Sequence, residues 1–137
     1  MNPAKPSRRT NTLSVRLHPR TRYALELLAR QRRATVTSVL EAAIDRLVAD
    51  PAEGLFEDDK QGKRQSVLEH VWDTDEADRL VKLAMNYPNL LTYDEERAWK
   101  AIREEPSFWL GKERRPNFKA IRDRWSAIRR QYLEEAN

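Results

Sequence analysis

Thr12, Ser14 and Arg16 alternate with Leu13, Val15 and Leu17 in the run that ends at His18. In an extended chain this spacing puts two hydroxyls and a guanidinium on one face and three aliphatic side chains on the other. The polar face offers hydrogen-bond chemistry. Arg bonds bidentately to the O6 and N7 edge of guanine, and Ser or Thr meets either a donor or an acceptor edge. Catalytic chemistry is poorly served by comparison. His18 and His70 are the only histidines, cysteine is absent, and the three glycines form no phosphate loop. His70 and Asp73 are three apart, a weak metal-ligand spacing, and Glu104 and Glu105 are adjacent and diverge on a helix. These features predict a protein that is not an enzyme and that needs no cofactor and no metal.

The elements around this segment define where its faces must go. No second strand candidate lies nearby, so its row of backbone donors and acceptors predicts pairing with the same strand of a second chain. Pro19 suits the first turn of a helix, and Leu25, Leu28 and Ala29 recur at helical spacing up to about Arg32. The pattern breaks over Arg33 and Ala34. Thr35, with Ser38 three residues on, opens a second helix whose apolar face is Val36, Val39, Leu40, Ala43, Ile44 and Leu47, ending before Pro51. A strand and two helices in about 40 residues bury too little surface to stand alone. Two copies could supply the missing core. An antiparallel two-stranded ribbon would lay Leu13, Val15 and Leu17 on the helices, with Leu25, Leu28, Val39, Leu40 and Ile44 completing the dimer core. Thr12, Ser14 and Arg16 would then be displayed twice about a two-fold axis, in a ribbon that fits the DNA major groove.

Charge supports a polyanionic partner for this half. Residues 1–50 hold ten Lys or Arg against four Asp or Glu, whereas residues 51–137 hold sixteen against eighteen. Residues 1–11 carry Lys5, Arg8 and Arg9 with little apolar content and read as a flexible basic arm, its charges placed for phosphates. The expected division is this arm, a DNA-binding and dimerisation domain over 12–50, a Pro-, Gly- and Asp-rich linker over 51–66, and an all-helical domain over 67–137.

The run LSVRLHPRTRYALELLARQRRATVTSVLEAAIDRLV, Leu13 to Val48, resembles the ribbon-helix-helix family of DNA-binding dimers, the MetJ, Arc and CopG type. The resemblance implies a mainly α fold with an intertwined dimer built on the ribbon. It also implies base contacts from Thr12, Ser14 and Arg16, and phosphate contacts at the start of the second helix, which falls on Thr35, Val36 and Thr37. A helix N-terminus supports such contacts on physical grounds alone. Arg33 stands where the family usually has Gly, and its side chain is a further candidate for phosphate. The implied function is sequence-specific transcriptional regulation, as a repressor acting by occupancy. A plasmid partition or conjugation accessory protein, or an antitoxin whose second domain binds a toxin, would carry the same module.

The second half carries no resemblance that names a family. It predicts a helix after Thr74-Asp75-Glu76, another opened by a capping box of Thr92 and Glu95, and one long helix after Asn117 whose stripe is Phe118, Ile121, Trp125, Ile128 and Tyr132. Trp72, Trp99, Phe108, Trp109 and Trp125 are the expected aromatic core. Residues 111–130 hold eight basic groups and two acids. Arg114, Arg115, Lys119 and Arg122 among them either form a second nucleic-acid patch or pair with the acidic helices before them. The expected partners are therefore double-stranded DNA, a second copy with higher order on DNA, and a protein bound by the second domain. No membrane segment is expected, and the expected location is cytoplasmic, at the nucleoid.

Overall fold

The computed structural model describes residues 11–59 and 61–134. Among them are seven α-helices and two small antiparallel sheets of two strands each. The chain divides into two compact units, with the boundary between Arg46 and Leu47.

The first unit holds α1 (Pro19–Arg32) and most of α2 (Val36–Val48). Pro19 opens α1, where its missing N–H costs nothing. The helix ends at Arg33, which adopts the left-handed conformation at φ 50° and ψ 45° and directs its N–H to the carbonyls of Ala29 and Arg30. The Ala34 N–H reaches back to the Ala29 carbonyl at 2.9 Å. Such a reversal releases the chain from the helix with its last carbonyls satisfied. Thr35 then starts α2, its hydroxyl oxygen accepting the Ser38 N–H at 3.0 Å. Residues 11–18 precede α1 without forming a strand. A ladder needs two strands, and one chain supplies a single candidate.

The second unit is not all-helical, and 51–66 is not a plain linker. Phe56–Asp58 (β1) pairs antiparallel with Arg64–Ser66 (β2), with Phe56 opposite Ser66. Asp59 organises the turn, one carboxylate oxygen accepting the N–H groups of Gln61 and Lys63 at 2.9 and 2.8 Å, while Gly62 takes φ 79°. The helices α3 (Val67–Val71) and α4 (Glu76–Asn86) are capped by Ser66 and Asp75. Next comes α5 (Tyr93–Glu104), which carries the reciprocal capping box of Thr92 and Glu95. A second hairpin, Trp109–Leu110 (β3) with Arg115–Pro116 (β4), leads to α6 (Phe118–Asp123) and α7 (Trp125–Tyr132).

The expected single helix after Asn117 is thus two. Arg124 leaves helical geometry at φ −105° and ψ 3°, and Ile121 and Ile128 enter the core on either side of the break. That core is Ala77, Leu80, Val81, Ala98, Ile102, Phe108, Ile121 and Ile128, drawn from α4, α5, the turn before β3, α6 and α7. The aromatic core is smaller than expected. Phe108 is buried, Trp99, Trp109 and Trp125 pack at the edge, and Trp72 is exposed under the Arg79 guanidinium.

Candidate nucleic-acid interface

The expected reading edge, residues 12–18, has no secondary-structure partner among the described residues. Thr12 to Leu17 make no backbone hydrogen bond among the described residues. Thr12, Ser14 and Arg16 are exposed. So are the apolar residues between them: Leu13 is 82% exposed, Val15 57% and Leu17 39%. Val15, Leu17, Leu25, Val36 and Leu40 line one open cleft of about 580 Å³, with Arg16 at its side.

The rest of the expected dimer core shows the same deficit. Of large apolar residues in the first unit, Tyr23, Leu27, Leu28, Val36 and Ile44 are exposed along with the three just described. Leu25 and Leu40 are half-buried, and among the described residues of this unit only Ala29 and Val39 are buried. Burying a Leu, Val or Ile side chain gains roughly 1.5–3 kcal/mol, so this surface represents a large unused driving force.

The start of α2 has the features of an anion site. Thr35, Val36 and Thr37 are exposed, and no acid stands in the first turn. Thr35 takes up the Ser38 N–H through its hydroxyl and the Val39 N–H through its carbonyl. The Val36 and Thr37 N–H groups have no protein acceptor among the described residues. Such orphan donors at the positive end of a 13-residue helix favour an anion. Arg33 sits three residues before Val36, exposed, with Arg30 and Arg32 in the last turn of α1. Lys5, Arg8 and Arg9 lie outside the described residues.

In the second unit, the four candidates for another basic patch part company. Arg122 turns inward: its Nε lies 2.9 Å from Asp78, the only buried charged residue among those described, and 3.9 Å from Asp75. Its hydrogen bond to Asp78 holds the guanidinium charged still more firmly than usual. In the same network, the Asp75 N–H and the Lys82 ammonium hold the Asp73 carboxyl below the ordinary carboxylate range. Lys119 bonds Asp123 one turn on. Arg114 and Arg115 stay on the hairpin of β3 and β4, and Arg114 lies over the Trp109 ring.

His70 Nδ1 is 2.6 Å from the Tyr87 hydroxyl. Among the described residues, no three His, Cys, Asp or Glu side chains are placed to hold a metal ion. No described helix is long and apolar enough to cross a membrane.

Comparison with protein families, curated proteins and solved structures returned no match. The resemblance over Leu13 to Val48 therefore rests on the residues themselves.

Proposed function

We propose that this protein is a sequence-specific DNA-binding homodimer that regulates transcription, as a repressor, by occupying its operator. One observation carries the reading. A segment outside any helix or strand, with no backbone partner, carries three of the eight exposed large apolar side chains of a unit that, among its described residues, buries only Ala29 and Val39. A second copy answers both needs. Paired antiparallel, two segments satisfy each other's backbone and cover Leu13, Val15 and Leu17 against the α2 helices. The opposite face then carries Thr12, Ser14 and Arg16 twice into the major groove, while the Val36 and Thr37 N–H groups, Thr35 and Arg33 grip flanking phosphates. The two-fold axis calls for operators of repeated or palindromic half-sites.

Selection from a random duplex pool tests this. The expected product is a symmetric pair of half-sites, bound by a species that sediments as a dimer or a multiple of one. Arg16→Ala should cost about 1–3 kcal/mol on that site and relax one base pair in each half. A monomer at micromolar concentration, or an enriched pool with no common sequence, would overturn the proposal. A uniform loss on all sequences would make Arg16 a phosphate contact instead.

A further inference from the structure

The second unit carries a basic furrow that neither its core nor its ion pairs explain. Some cations of the unit find carboxylates: Lys82 pairs with Asp73, Arg122 with Asp78, Arg129 with Glu76 and Lys119 with Asp123. Lys100 and Arg103 on α5 and Arg114 on the following hairpin do not. Among the described residues, no carboxylate lies within 4.0 Å of any of the three. Lys100 even has Glu96 and Glu104 one turn away on either side, where pairing is easy.

Two clefts of about 420 and 380 Å³ share Lys100 and Arg103. Trp99 lies in the first, with Tyr93 at its rim, 74% exposed. Trp109 and Arg114 close the second. Arg114 is held there three ways. Its backbone takes φ 50°, a conformation that glycine would adopt without cost. Its Nη2 donates to the Arg103 carbonyl at 3.0 Å, and its guanidinium stacks 5.2 Å from the Trp109 ring centre. A non-glycine residue in a left-handed turn, anchored beside an open cleft that Glu104 also lines without pairing with it, matches the strain found at binding sites.

We infer that this furrow is a second contact for the phosphate backbone of double-stranded DNA, with Lys100, Arg103 and Arg114 as its cations. Three cations spread over two clefts that share Lys100 and Arg103 suit a chain of phosphates better than one small anion. The Trp109 face is covered by Arg114 and its indole N–H is bound to the Ile102 carbonyl at 3.0 Å, so stacking of an unpaired base there is blocked. The choice of DNA as the polyanion rests on the proposed function. The furrow itself reads no sequence, since it offers charges and no base-edge geometry.

The test uses the full chain carrying Lys100→Gln, Arg103→Gln and Arg114→Gly, the last chosen because glycine suits the turn. On operator duplexes with long flanks, the slope of log affinity against log salt should become shallower by about 2 to 3, and affinity at 0.1 M salt should fall about ten- to a hundredfold, with the preferred sequence unchanged. Glu104→Gln should tighten binding several-fold, a gain that misfolding cannot produce. An unaltered slope in the triple variant, with its melting temperature preserved, would overturn the inference and leave the proposed function standing. If the chain shows no sequence preference yet the triple variant still weakens its salt-dependent binding, the furrow stands and the proposed function falls. Absence of any DNA binding overturns both. Two competitors at constant ionic strength separate other anions: displacement of DNA from wild type but not the variant by millimolar inorganic phosphate, or by poly-glutamate as effectively as by duplex, would reassign the furrow to a free phosphate or an acidic protein.

Discussion

Trp125 is the residue whose chemistry is least settled by its surroundings. Its indole N–H is buried and has no partner among the described residues, although the ring packs against the core of the second unit. A buried unmade donor costs about 1–3 kcal/mol, so Trp125→Phe should leave stability unchanged or raise it despite losing volume, as read by urea unfolding. The Asp78 carboxylate is the opposite case. It is 8% exposed and satisfied by Arg122 across 44 residues of chain. Nothing in the local sequence marks either role. Asp78 stands in an acidic helix start where solvent exposure is the ordinary expectation, and the partner that overrides it comes from another element. Long-range pairing of this kind is a property of the packing, whereas the alternation of residues 12–17 is legible because its period is short and local.

Among elements, those with punctuation are the ones the sequence announces. Pro19, Thr35 and the capping box of Thr92 and Glu95 all start helices where they should. Thr92→Ala should lower stability by about 1 kcal/mol, measured as a shift of the urea midpoint. Both hairpins escaped because strands of two or three residues are too short to show a period of two, and the turn chemistry of Asp59 and Gly62 has the same composition as a linker. The break at Arg124 escaped because the apolar stripe continues across it without a change of spacing. The turn between α1 and α2 is instructive for a different reason: it takes the left-handed geometry that favours Gly while holding Arg33. Arg33→Gly should therefore stabilise the folded first unit by about 1 kcal/mol. On the proposed reading it should also weaken operator binding. Thermal unfolding and a binding titration on the same variant read the two effects separately.

At the scale of the whole molecule, three carboxylates tie stability to acid. Asp59 is held low by the Lys63 N–H, Asp73 by the Asp75 N–H with Lys82, and Glu105 by the Ser107 hydroxyl and N–H. A carboxylate whose folded pKa is depressed contributes stability that is present above its unfolded pKa and lost as pH falls through the folded one. The second unit should thus hold its melting temperature above pH about 5 and lose it progressively below pH about 4. Asp73→Asn should flatten that decline, and a melting temperature independent of pH between 3 and 6 would contradict it.

The uncovered apolar face of the first unit has a consequence in time as well as in shape. On the proposed reading, a newly made chain cannot complete its N-terminal half until it meets another, and until then Leu13, Val15 and Leu17 lie open to proteases. Survival of each chain then depends on how many others are present. Below the concentration at which pairs form, degradation removes unpaired chains fastest, so the level of such a regulator would collapse abruptly on dilution during growth instead of fading in proportion.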